Sequence, residues 1–134
     1  MGLVSRKTGK LYMEQVEHIN EKTLCGLISK NVSSGAHICS DELRGYQPLS
    51  KRYDFTHSTV CHSRREYARY DEDIEVNTHT NTIEGVWSHL EKFINGVMID
   101  VGHQFIDRYL GEFMMRYNFR HLNNLWGQVL GWCG

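Results

Sequence analysis

The chain has 134 residues, 40% of them hydrophobic and 23% charged, with a single proline. That is the make-up of one globular domain rather than of a disordered, collagenous or disulfide-stapled chain. A chain of this size hides roughly two-thirds of its unfolded surface, so neither a disulfide nor a structural metal is required for stability. Lys and Arg number 15 against 16 Asp and Glu, a net charge of −1 that excludes a strongly basic binding domain but not a basic stripe on one face.

From the start of the chain, Gly2 to Ser5 and Lys10 to Glu17 read as two strands joined by a turn with Gly9 in it, and Leu11 and Met13 point inward. Asn20 is placed to cap a helix over Glu21 to Asn31, in which Leu24, Leu27 and Ile28 recur at helical spacing. Ala36 to Ser40 is a short apolar run of the kind that forms a buried strand, and it ends on Asp41 and Glu42. Glu42 to Leu49 predicts a short helix stopped near Pro48, followed by a strand over Phe55 to Val60. Cys61 to Thr78 is polar and charged, and reads mostly as a long surface loop. From Asn81 the pattern turns helical, with Ile83, Val86, Trp87, Leu90, Ile94 and Val97 on one inward face and Glu84 beside it. A second helix is expected from His103 to Arg120, with Phe113 and Tyr117 inward and Glu112 four residues before Arg116 outside. The tail is apolar at Leu125, Trp126, Val129, Leu130 and Trp132, but Gly127, Gly131 and Gly134 interrupt any helix.

Cys25, Cys39, Cys61 and Cys133 form no C-x-x-C pair and read as reduced thiols. With no signal-like apolar core and no long apolar run, the expected setting is the cytoplasm of a prokaryote or the nucleus of a eukaryote, not secretion or a membrane. Cys39, His57, Cys61 and His62 can be imagined as a zinc site, but their spacing fits no compact zinc motif.

On spacing alone, Asp41 reads first as a helix cap after a strand and Glu84 first as one more acidic group in a helix's first turn. Asn81 is a natural cap. Tyr46, Trp87 and Tyr109 read as core or groove aromatics before base-stacking platforms.

Four blocks, taken together, make the sequence recognisable. Ser40-Asp-Glu-Leu-Arg-Gly-Tyr46, Cys61-His-Ser63, His79-Thr-Asn-Thr-Ile-Glu-Gly-Val-Trp-Ser88 and Arg108-Tyr-Leu-Gly-Glu-Phe-Met-Met-Arg-Tyr-Asn118 resemble, in the same order, the ISXO-type and Merlin-type DDE transposases. The resemblance implies an α/β, RNase H-like domain over residues 2–120 with its first strand missing, which leaves residues 121–134 as an apolar tail containing glycine and tryptophan. It implies DNA transposition, by metal-dependent strand cleavage and transfer. Asp41 matches the family's second acidic residue and Glu84 its third, so these two are the implied catalytic and metal-binding residues, with Mg²⁺ or Mn²⁺ as the ions that suit hard oxygen ligands. His62, His79 and Asn81 match positions lining the site, and Arg64, Arg65 and Lys92 are candidate phosphate contacts. DNA, as transposon ends and target, is the implied partner, and a homo-oligomer is a further expectation.

Two departures accompany the match. No aspartate precedes Asp41, so the family's first catalytic aspartate has no counterpart here. Glu91 stands where the family commonly has lysine, with Lys92 beside it but rotated by about 100° around the helix axis. These departures lead to the expectation of a truncated or decayed copy, with a non-catalytic DNA- or protein-binding domain as the alternative.

Overall fold

The computed structural model describes residues 1–60, 68–71, 76–97 and 102–122. They form a mixed α/β architecture that divides into two compact units. One comprises residue 1 and residues 16–88; the other comprises residues 2–15 and 89–134.

In the first unit, α1 (Glu21–Asn31) begins as its sequence demands. Asn20 is extended, and its side chain accepts a hydrogen bond from the Thr23 N–H at 3.0 Å, satisfying one of the helix's orphan donors. Leu24, Cys25 and Ile28 recur on its inner face and are buried. Burying a side chain such as Ile28 contributes about 2 kcal/mol.

Strand β3 (His37–Asp41) pairs in parallel with β4 (Thr56–Val60), and Asp41 stands opposite Val60 at the last rung. Between them run a 3₁₀ turn (Arg44–Tyr46) and the short helix α2 (Leu49–Arg52). Here Pro48 precedes the helix instead of ending one, a correction to the expected helix over Glu42 to Leu49. Proline is compatible with a helix start, where its missing N–H is not needed. Gly45 in the 3₁₀ turn lies so close to α1 that an added Cβ would sit 2.6 Å from the Leu24 methyl. Leu49, Phe55 and Val60 complete this side of the core.

Residues 61–78 were expected to be mostly loop. Within them β5 (Ala68–Asp71) pairs antiparallel with β6 (Val76–His79), and β6 lies beside β4 and β3. The sequences Ala-Arg-Tyr-Asp and Val-Asn-Thr-His show no clear apolar alternation, and cross-strand pairing depends on partners rather than on local apolar content. Residues 61–67 and 72–75 lie outside the described residues. From β6 the chain passes through buried Thr80 into α3 (Asn81–Val97), whose Val86 is fully buried. Trp87, expected to face inward, is 40% exposed. One step of 100° past Val86 carries it off the buried stripe.

The second unit holds the hairpin of β1 (Gly2–Val4) and β2 (Leu11–Met13), closed by Gly9 at φ 69°, a left-handed conformation that suits glycine. Leu11 and Met13 are buried, as alternation predicts. The end of α3, a 3₁₀ turn (His103–Phe105) and α4 (Ile106–Asn118) complete it. Phe113 is buried between Phe93 and Tyr117, at ring-centroid distances of 5.6 and 6.1 Å. The Glu112–Arg116 pair closes on the helix surface at 2.8 Å. No described helix is long and apolar enough to cross a membrane.

Candidate functional site

Asp41 is the last residue of β3 and is exposed. Its Oδ1 accepts a hydrogen bond from the Leu43 N–H at 3.2 Å, the local Asx turn that turns the chain out of the strand. Behind it, the buried Ser40 hydroxyl is 2.8 Å from the main-chain oxygen of Asp41 and 2.8 Å from His57 Nε2. His57 stands on β4 opposite Ile38, so it reaches Ser40 diagonally across the ladder. Burial lowers the His57 pKa from its ordinary value, and His37 lowers it further.

Tyr46 closes this corner, with its ring edge-on to His57 at 6.4 Å between centroids. Burial pushes the Tyr46 hydroxyl pKa up, and the negative charge of Asp41 and then Cys25 adds to the rise. The residues gathered at the end of β3 are therefore Asp41, Ser40, His57 and Tyr46. Only the first of them was singled out from the sequence as a catalytic candidate. Ser40 opens the Ser40-to-Tyr46 block without a role assigned to it there, and no spacing links it to His57; the parallel register brings them together.

Glu84 lies in the first turn of α3 and is exposed. Its Oε1 accepts a hydrogen bond from the Thr80 hydroxyl at 2.6 Å, and its N–H donates to the Thr80 carbonyl at 3.0 Å. Thr80 thus occupies the place before the helix that was expected for Asn81, which is instead the first helical residue and exposed. His79, the last residue of β6, is half-buried, and its Nδ1 is buried with no hydrogen-bond partner among the described residues. Lys92 is exposed on α3, as is Glu91. His62, Arg64 and Arg65 lie outside the described residues.

The carboxylates of Asp41 and Glu84 suit a hard divalent cation in kind. Each is exposed, acceptor-only and already oriented by one donor, and a carboxylate has lone pairs left after one such bond. They supply two ligands, and among the described residues no three His, Cys, Asp or Glu side chains come together as a metal group. The zinc alternative finds no support among the described residues: Cys39 pairs with Ser58 and His57 with Ile38, on opposite faces of the ladder.

The family model described as the ISXO2-like transposase domain matches residues 1–118, nearly the whole span of the described elements. The chain belongs to this family. The match includes all the described candidate site residues, from Ser40 to Lys92. ISXO2-like domains act in DNA transposition, and DDE transposases generally bind DNA and use divalent metal ions. Neither the curated proteins nor the solved structures yield a match to this chain.

Proposed function

We propose that residues 2–120 form an RNase H-like transposase domain in which Asp41 and Glu84 are the catalytic, metal-holding carboxylates, followed over residues 121–134 by an apolar tail containing glycine and tryptophan. The observation that carries this reading is the position of Asp41: an exposed carboxylate at the C-terminal end of a strand paired in parallel, in a chain of the ISXO2-like family. A hairpin, a helix and a parallel strand pair in that order are what an RNase H-like domain contains after its first strand.

Bound Mg²⁺ or Mn²⁺ supplies activation of the attacking oxygen and stabilisation of the leaving oxygen in phosphoryl transfer on DNA. This chain's part is to hold and orient. Asp41 presents its carboxylate from a strand end fixed by Ser40 and the Leu43 N–H. Glu84 presents its own from a helix start fixed by Thr80. His79 and Asn81, which flank Thr80 in the sequence, are the proposed lining residues beside Glu84, with His62 from the Cys61-His-Ser63 block as a third. Arg64, Arg65 and Lys92 are the proposed phosphate contacts.

Nicking of supercoiled DNA in Mn²⁺ tests the reading. Whatever nicking the chain shows in Mn²⁺ or Mg²⁺ is expected to disappear in EDTA, and both Asp41→Ala and Glu84→Ala are expected to bring it to background while leaving the fold intact. DNA binding that needs no metal and is indifferent to both substitutions, with no nicking by the parent chain, would assign the non-catalytic binding role instead.

A further inference from the structure

The Ser40 hydroxyl has one proton and two neighbours at 2.8 Å, the Asp41 carbonyl oxygen and His57 Nε2. A carbonyl oxygen can only accept. When Ser40 donates to Asp41, His57 must donate to Ser40, which requires the proton on Nε2. The result is a one-way chain of donors from β4 to the end of β3, running His57 to Ser40 to the Asp41 main chain.

We propose that His57, acting through Ser40, is a positioning residue that sets the direction of the Asp41 carboxylate toward its metal. The inference rests on the reading of Asp41 as a metal-holding residue.

Three features of the geometry support it. Ser40 is buried at 8% exposure, so water does not readily replace either of its bonds. Asp41 is held at two points, its main-chain carbonyl by the Ser40 hydroxyl and its side-chain Oδ1 by the Leu43 N–H. The contact also spans two strands, so it ties the strand terminus to a second element instead of to its own turn alone. Partners of this kind, one step removed from a metal ligand, typically alter metal affinity by about 10- to 100-fold when removed.

The test uses the full chain and Mn²⁺ alone, following loss of the free-ion electron paramagnetic resonance signal, with folding checked by thermal melting. The component of binding abolished by Asp41→Ala is the one compared. Ser40→Ala and His57→Leu are expected to weaken it about 10-fold or more. His57→Gln, whose amide N–H reaches nearly as far as Nε2, is expected to restore it to within a few-fold of the parent, because the donor to Ser40 is kept. If Asp41→Ala leaves Mn²⁺ binding unchanged, the metal reading of Asp41 fails, and this inference with it. If Asp41→Ala abolishes binding while folded Ser40→Ala and His57→Leu bind as the parent does, the positioning role alone is overturned. Two-bond proton–nitrogen correlations of the imidazole give a readout independent of metal and of any variant's folding. They are expected to show His57 protonated on Nε2, and a bare Nε2 overturns the proposal.

Discussion

In the unit built on the β1–β2 hairpin, Asn118 turns both ends of its amide onto the backbone of Leu11. Its Oδ1 accepts the Leu11 N–H at 2.7 Å and its Nδ2 donates to the Leu11 carbonyl at 2.9 Å. In the unit built on β3 and β4, the polar chain from His57 through Ser40 runs instead to a strand end whose carboxylate faces solvent. Both arrangements satisfy backbone groups with side chains. The first closes on itself and leaves nothing for a ligand, while the second ends in an exposed, oriented charge. Placement in the ladder, more than residue type, separates a structural polar group from a candidate functional one.

The comparison breaks most sharply at Asn118. Asn118→Ala strands a donor and an acceptor on Leu11, a residue only 4% exposed, so a loss of about 3 kcal/mol is expected in urea unfolding. Binding of Mn²⁺ by the folded fraction is expected to stay at the parent level. A loss under about 0.5 kcal/mol, the usual size for a surface substitution, would mean that the amide contributes nothing the solvent cannot.

Thr80 sharpens the comparison from the other side, because it is buried like a structural residue yet bonds to an exposed carboxylate. Thr80→Val keeps the β-branched shape and removes the 2.6 Å bond to Glu84. A stability loss of about 1 kcal/mol is expected by denaturant titration. If Glu84 holds a metal, the same variant should weaken Mn²⁺ binding about 10-fold. A change in stability without one in binding would place Thr80 with Asn118, among the structural groups.

How much of this could be read in advance follows the range of each interaction. The Asn20 cap, the alternation of Leu11 and Met13, the apolar run into Asp41 and the long helix after Thr80 are set by residues within a turn or two of one another. Their signals are therefore local and legible. Asp41 at a strand end and Glu84 in a helix's first turn were placed by the same local signals, while their reading as catalytic residues came only from the resemblance. Asn118 meets a partner 107 residues away, and Ser40 meets His57 only because of the parallel register. Spacing carries no trace of either pairing. The β5–β6 hairpin was missed because its strands show no clear apolar alternation, and Pro48 was read as a stop because proline punctuates helices at both ends. Trp87 shows the limit of the apolar stripe, since an aromatic at helical spacing is not obliged to be inside.

The smallest expected effect concerns protonation of His57, and it asks whether the β3–β4 network also contributes to the fold. Burial first, and His37 second, hold the His57 pKa below its ordinary value, so the native chain takes up this proton less readily than the unfolded chain. The unfolded state therefore binds more protons through the histidine range, and stability rises with pH there. Above about pH 6.5, the ordinary histidine value, neither state is protonated at this site and no penalty exists. As pH falls below that value the unfolded chain gains the proton first and stability drops, and the drop ends once the pH is below the native value. Urea midpoints at pH 7.5 and 5.5 should accordingly differ less in His57→Gln than in the parent chain, since glutamine offers a similar donor without titrating. An unchanged difference would mean that the acid sensitivity comes from other groups and that the His57 imidazole is as easily protonated in the folded chain as in water.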